Sequence, residues 1–283
     1  MEHSVIASHC IICIVVAHPN FMKIAPIMAA LSELEPVLDV TLVHTGKHDD
    51  VIRNEQYFQA LSIPASDITL EVGDVNSIIA CPLVATKKSI PVIHVEAGLR
   101  SFDCVMPEKI NRVLIDQISD MFFATEPSGR DNLLHEGITD KGIHFVDNVM
   151  IEALRHNLGK AISVKKIVSD PGSEYFLNED IGYAVVTMHK PSNVEDDVIL
   201  ASSIQNIVTI SAQLPVIFPL HPRTKSMILM FGFEKLLENV NILLLASMGY
   251  LETLNLMKNA KVVLTDSGRI QEETTVLGRL VLV

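Results

Sequence analysis

Short apolar, β-branched runs alternate with stretches of helical period along the whole chain, and most of the runs end in a polar loop. Strands buried on both faces read as continuous apolar runs, and parallel neighbours need a crossover, usually a helix. The alternation therefore predicts an α/β architecture with parallel sheets. Ile11–Ala17 reads as a strand buried on both faces, followed by a turn at His18-Pro19-Asn20. Met22–Leu34 then carries a helical face of Ile24, Ile27, Met28 and Leu31. Further strands are predicted at Val40–His44, Ile68–Val72, Pro91–Val95, Met121–Ala124 and Ile143–Val146. Helices are predicted at Ile78–Lys88, Asn111–Ile118 and Ser128–His135.

Glu152–Gly182 reads as a junction, because a helix there runs into the loop-forming stretch SDPGSEYFLNEDIG. Beyond it, strands are predicted at Tyr183–Met188, Pro215–Pro219, Asn241–Leu245, Lys261–Thr265 and Leu280–Val283. The helices between them are Asp197–Gln213, Lys225–Phe231, Leu251–Lys258 and Ile270–Leu277. With 283 residues, a prior of about 150 residues per domain gives two domains, 1–150 and 151–283.

Charge narrows the partners. Lys plus Arg is 22, Asp plus Glu is 34, and the net charge is −12. Such a chain is not built to neutralise nucleic-acid phosphates, yet a local basic cluster can still hold a small anion. Trp is absent, which disfavours stacking platforms for single strands. Cys10 and Cys13 form a C-x-x-C inside the apolar run HCIICIVVA and are read as buried strand thiols, not a redox or zinc pair. That run is too short to span a bilayer and lacks the flanks of a signal peptide, so a soluble, cytoplasmic protein is expected, without membrane or nucleic-acid partners.

Ligand groups of an open α/β sheet sit in loops at the carboxyl ends of strands, and five such loops are polar. Lys23 lies near a helix start, where an anion can be held. Asp74 in GDVNS is either a functional carboxylate or a helix cap. Glu96 ends an apolar strand, where a carboxylate is costly unless used or paired, and Arg100 is the nearby candidate partner. Glu108 follows Pro107 at a helix start, which capping and the helix dipole also explain. His189-Lys190 and His221-Pro222-Arg223 form two basic clusters at successive strand ends, an anion-binding arrangement. Asp266-Ser267-Gly268-Arg269 opens a helix that can cradle a pyrophosphate, with Glu273 one turn in as an acceptor for ribose hydroxyls. Neither G-x-G-x-x-G nor a Walker A lysine occurs, which disfavours nicotinamide dehydrogenases and P-loop NTPases. The two histidines of HTGKHDD lie in a loop, not on an H-E-x-x-H helix, so no metal is expected.

In order along the chain, PNFMKIAPIMAAL, HTGKHDD, GDVNS, IPVIHVEAGLRSFDCVMPEKINRVLIDQISD, VTMHKPSNVEDD, PLHPRTK and GYLETLNLMKNAKVVLTDSGRIQEET resemble the loops of the non-hydrolysing UDP-N-acetylglucosamine 2-epimerases. The resemblance implies two Rossmann-like domains facing a cleft, a GT-B-like architecture. It implies interconversion of UDP-GlcNAc and UDP-ManNAc by elimination and re-addition of UDP. It also implies no redox cofactor, a homodimer and a place in polysaccharide biosynthesis. By motif, Asp74, Glu96, Glu108 and His189 match the catalytic set. Lys23, Arg112, His221 and Arg223 match cationic and sugar-site support, and Ser267, Gly268, Arg269 and Glu273 fall in the UDP pocket.

The chain departs from the family pattern in four places. His18 stands where G-T-R-P places an arginine at the nucleotide. Arg269 replaces the second glycine of D-S-G-G, which predicts crowding of the phosphates or a positive φ. A helix and a strand are missing between Ile68–Val72 and Gly73–Ser77, a shortened first domain, and the match stops at Val283, a truncated C-terminus. Lys47 replaces the glutamine of T-G-Q-H near the activating site of some members. The competing readings are a degenerate nucleotide-sugar binder without turnover, a GT-B glycosyltransferase, and a hydrolysing epimerase.

Overall fold

Parallel pairing runs through every described sheet. The computed structural model describes residues 10–15, 18–34, 38–45, 58–64, 68–69, 77–101, 107–163, 168, 173–177, 180–238 and 241–283. The chain divides into two compact units, Met1–Ala153 and Leu154–Val283. No helix among the described residues is long and apolar enough to cross a membrane.

Among its described residues the first unit holds two three-stranded sheets. One has the order β1-β2-β3, from β1 (Cys10–Val15), β2 (Asp39–His44) and β3 (Ile68–Thr69). The other has the order β4-β5-β6, from β4 (Ile93–Val95), β5 (Met121–Ala124) and β6 (Ile143–Phe145). Ala97, Phe122, Ala124, Leu133 and Ile143 form a core around the second sheet.

β1 corrects one expectation. Cys13 and Val15 are buried, but Ile12 and Ile14 are 56% and 41% exposed. This is the period-two alternation of a strand covered on one face. Residues three apart point to opposite faces, so Cys10 is exposed while Cys13 is buried, and both thiols are free. Burial raises the Cys13 thiol above its ordinary range. The expected turn at His18-Pro19-Asn20 is instead the opening of the helix His18–Ser32. Proline fits a first turn, where its missing N–H has no partner to lose.

The described residues of the second unit form one five-stranded sheet ordered β11-β10-β7-β8-β9. Its strands are β7 (Ala184–Thr187), β8 (Val216–Pro219), β9 (Ile242–Leu245), β10 (Val262–Thr265) and β11 (Leu280–Leu282). The chain adds β8 and β9 on one side of β7, then β10 and β11 on the other. The order therefore reverses at β7, and the carboxyl ends of β7 and β10 lie side by side, with Thr187 opposite Thr265. Open α/β sheets bind ligands at such a reversal.

Local signals set the helix ends. Asp196 accepts from the N–H groups of Val198 and Ile199 and caps Asp197–Ser211. His221 Nδ1 accepts from the Arg223 N–H and caps Pro222–Phe231. Leu200 and Ile204 of the first of these helices and Ile228 of the second pack on Ala184, Val186, Val216 and Phe218 of the sheet. Phe218 is fully buried, so Phe218→Ala is expected to lower the stability of this unit by about 3–5 kcal/mol. Urea unfolding checks this, and a loss well under 1 kcal/mol would contradict the packing described.

Candidate functional site

In the first unit the candidate groups gather at the carboxyl end of β4. Glu96 follows the strand and adopts φ +61°. A side chain in that region costs of order 1–3 kcal/mol and persists only where its surroundings fix it. Several groups do so. The Ala97 N–H donates to the Phe123 carbonyl at 3.1 Å. Arg112 Nη1 donates to the Glu96 carbonyl at 3.3 Å. Gly98 continues the turn at φ +77°, and a Cβ there would lie 2.1 Å from the Gly129 carbonyl oxygen, so only glycine fits. The Asn132 amide donates to the Gly98 carbonyl at 2.9 Å.

The Glu96 side chain is buried and pairs with Lys23, whose Nζ donates to Oε2 at 2.5 Å. The partner expected from sequence was Arg100. Arg100 instead donates to Asp116 at 2.6 Å and, through two nitrogens, to Glu136 at 2.8 and 2.6 Å. A guanidinium fork is suited to two carboxylates at once, whereas the single Glu96 oxygen takes a compact ammonium. Asp116 is fully buried. Burial by itself would raise its pKa, but His94 and Arg100 outweigh that and hold the carboxyl below its ordinary value.

In the second unit the groups gather where β7 and β10 end. The two threonine hydroxyls, Thr187 and Thr265, hydrogen-bond at 2.7 Å and tie the strand ends together. Asp266 then bridges across. Its Oδ2 accepts from the N–H groups of His189 (3.0 Å) and Lys190 (2.8 Å) and from the Asn193 amide (3.3 Å). His189 Nδ1 lies 3.1 Å from Oδ1, and the His189 ring sits 5.7 Å from that of His221. Burial would raise the Asp266 pKa, yet the His189 ring and the N–H groups of Lys190 and His189 hold it far below the usual carboxylate range. The Thr224 hydroxyl donates to the Met188 carbonyl at 2.5 Å and fixes the start of the same loop.

Ser267 caps the helix Gly268–Val276 through its backbone alone, so its hydroxyl is not spent on the cap. Open space surrounds Gly268 where a Cβ would stand. Arg269 is helical and does not adopt positive φ, contrary to one of the two expectations from sequence. Replacing glycine costs no backbone strain here because the helix already includes the residue. The Arg269 guanidinium lies 5.9 Å from the Tyr250 ring centroid, and its Nε is 3.8 Å from Glu273 Oε1. Glu273 is buried, and neither of its oxygens accepts a hydrogen bond. Burial raises its pKa, Glu272 adds to the rise, and Arg269 only partly opposes it. A buried acceptor pair at the first turns of a helix suits two hydroxyl donors, beside N–H groups that suit an anion.

The remaining expectations divide. Lys23, Glu96 and Arg112 come together in the first unit, and His189, His221, Ser267, Gly268 and Arg269 are placed at helix starts and strand ends of the second, with Glu273 further along the helix Gly268–Val276. Arg223 stands at the start of its helix, 3.6 Å from Glu195. Asp74 lies outside the described residues, as does HTGKHDD beyond Thr45. Glu108 opens the helix Pro107–Ile118 and His18 opens His18–Ser32, with side chains outside the described set. The sequence alone marks no role for Asp116 or Asp266. The hint for Asp116 was an acidic residue four after Arg112 on one helix; for Asp266 it was a carboxylate at a strand end before Ser-Gly. Among the described residues no group of three or more His, Cys, Asp or Glu is arranged to hold a metal ion.

A family model described as UDP-N-acetylglucosamine 2-epimerase matches residues 65–283. The UDP-N-acetylglucosamine 2-epimerase of Methanocaldococcus jannaschii is 34% identical, over 92% of this chain and 79% of that protein. The UDP-2,3-diacetamido-2,3-dideoxy-D-glucuronate 2-epimerase of Pseudomonas aeruginosa is 32% identical, over 95% of this chain and 81% of its own. The crystal structure of the Methanocaldococcus jannaschii enzyme in complex with UDP-GlcNAc and UDP superposes with a TM-score of 0.76 at 32% identity, covering 96% of this chain and 83% of that one.

The environment of Glu273 generates a prediction with a definite sign. Its folded pKa lies above the ordinary 4.5, so the native state favours the protonated form and loses stability as pH rises through the folded value. Glu273→Gln is therefore expected to raise the melting temperature at pH 7 and to leave it unchanged at pH 4 or below. Thermal unfolding across pH checks this; a variant less stable than the parent at pH 7 would contradict it.

Proposed function

The chain belongs to the UDP-N-acetylglucosamine 2-epimerase family, and from that premise we propose how its residues invert C2 of UDP-N-acetylglucosamine to give UDP-N-acetylmannosamine. The observation that carries the assignment is Glu96, a buried carboxylate held in a left-handed turn and paired with Lys23. Strain of this kind gathers where geometry serves chemistry.

The reaction has two halves. A base takes the proton from C2, the C2–H electron pair forms a C1=C2 double bond, and the C1–oxygen bond breaks to release UDP. A proton then returns to the opposite face of C2, and a UDP oxygen adds again to C1. No electrons leave the substrate, so no redox partner is required. Glu96, with Asp74 and Glu108 as the other candidate carboxylates, supplies the base and the acid. Lys23 orients the Glu96 carboxylate, and Arg112 fixes its backbone.

The leaving group is a pyrophosphate, which needs cations and N–H donors. Residues 151–283 provide these, and residues 1–150 provide the proton chemistry. The first-turn N–H groups of Gly268–Val276 receive the phosphates, with the Ser267 hydroxyl beside them. Glu273 accepts from the ribose hydroxyls. His189, set by Asp266, serves the nucleotide side, and His221, Arg223 and Arg269 add positive or donor groups near the phosphates. The protein acts in the cytoplasm as a homodimer and feeds polysaccharide synthesis; its family supports this reading.

Proton NMR of the protein with UDP-N-acetylglucosamine in D2O tests the proposal. New UDP-N-acetylmannosamine signals with deuterium at C2 are expected. A folded protein that binds UDP and leaves the spectrum unchanged would make it a nucleotide-sugar binder without turnover, and free N-acetylmannosamine as main product would make it a hydrolysing enzyme. Glu96→Gln is expected to lower kcat by at least about 100-fold while UDP affinity stays within about 1 kcal/mol. An unchanged rate would remove Glu96 from the chemistry.

A further inference from the structure

Asp116 sits on the helix Pro107–Ile118, one turn beyond Arg112. Its side chain is fully buried, and its two oxygens serve different sides of one turn. Oδ1 meets His94 Nδ1 at 2.6 Å. Oδ2 accepts from the Gly98 N–H at 3.1 Å and from Arg100 Nη2 at 2.6 Å. His94 and Gly98 lie two residues before and two residues after Glu96. One carboxylate therefore grips both flanks of the residue at φ +61°, while Arg112 of the same helix holds the Glu96 carbonyl.

We propose that Asp116 is a positioning residue for Glu96, fixing the turn that presents the Glu96 carboxylate without touching substrate itself. The inference rests on the role given to Glu96 above. A buried ion pair alone is weak evidence of a stabilising role, since apolar replacements often do as well. The distinctive feature is where the partners lie. A carboxylate has lone pairs enough for all three donors, and each donor belongs to the segment 94–100. Arg100 is fixed in turn by Glu136 and by the Leu99 carbonyl at 3.1 Å, so the grip does not rest on a loose side chain. Its loss frees Glu96 to leave its costly backbone conformation and so shifts its carboxylate.

Asp116→Asn keeps the shape but leaves one acceptor oxygen beside a donor NH2, so His94 on one side and the Gly98 N–H with Arg100 on the other can no longer all donate to it. Expected is a kcat for C2 epimerisation about 100-fold lower, as for a misplacement of about 1 Å. The KM for UDP-N-acetylglucosamine and the UDP affinity should change less than twofold, because nucleotide groups lie in the other unit. A folded Asp116→Asn protein with the parent kcat, or one whose loss lies in KM alone, would overturn the proposal. If that variant does not fold, Arg100→Lys replaces it. It keeps the charge and loses the fork, with an expected fall in kcat of roughly 10-fold, and an unchanged kcat would overturn the proposal equally. A crystal structure of whichever variant folds gives a readout independent of turnover. Glu96 should leave φ near +60° and part from Lys23, and a turn superposable on the parent would overturn the proposal. A parent protein that binds UDP without exchanging C2 hydrogen would refute the function assigned above, and the crystal structure then decides the positioning question alone.

Discussion

A single backbone choice organises the first unit. Glu96 stands in the left-handed region, where a side chain is disfavoured, directly after a strand whose register is set by pairing with β5. Neighbouring elements are arranged to keep it there. Helix His18–Ser32 contributes Lys23, helix Pro107–Ile118 contributes Arg112 and Asp116, and helix Pro127–His135 contributes Gly129 and Asn132.

The second unit meets a different demand with the same architecture. Here the sheet order reverses at β7, and the adjacent ends of β7 and β10 are bound through Thr187, Thr265 and Asp266. Asp266 stays ionised because N–H donors and a histidine compensate its burial, whereas Glu273, buried without donors, is pushed toward its neutral form. Two carboxylates in one unit are thus driven in opposite directions. The first bridges the ends of β7 and β10, and the second has no hydrogen-bond donor on either oxygen. Arg269 lies against Tyr250 and Glu273 and compensates only part of the burial of that carboxylate.

Much of this was legible in the residues. The alternating runs marked every described strand, because parallel strands and their crossover helices have distinct apolar periods. Helix starts were placed too late, at Asn111, Ser128 and Lys225 instead of Pro107, Pro127 and Pro222. The apolar period begins with the first core-facing residue, while hydrogen bonding begins at the proline before it. Lys23, Glu96, Glu273 and His189 are singled out by motifs at strand ends and in the helices that follow them. Their partners are not. Asp116 meets Gly98 and Arg100 across 18 and 16 residues, and Asp266 meets His189 across 77. Such pairings are decided by sheet order and helix packing, which local spacing does not encode. The exposure of Ile12 and Ile14 was missed for the same reason, since an apolar run looks alike whether one face or two are covered.

The proposed reaction breaks the C1–oxygen bond as the proton leaves C2 and re-forms it when UDP adds back. Positional isotope exchange tests that cleavage most directly. UDP-N-acetylglucosamine carrying heavy oxygen in the bridge between C1 and phosphorus is incubated with the protein, and the label is followed as C2 inverts. The account predicts that label leaves the bridge for the non-bridging positions of the β-phosphate, because a detached phosphate rotates before it adds again. Inversion at C2 with every label still in the bridge would contradict it, since the carbon–oxygen bond would never have broken.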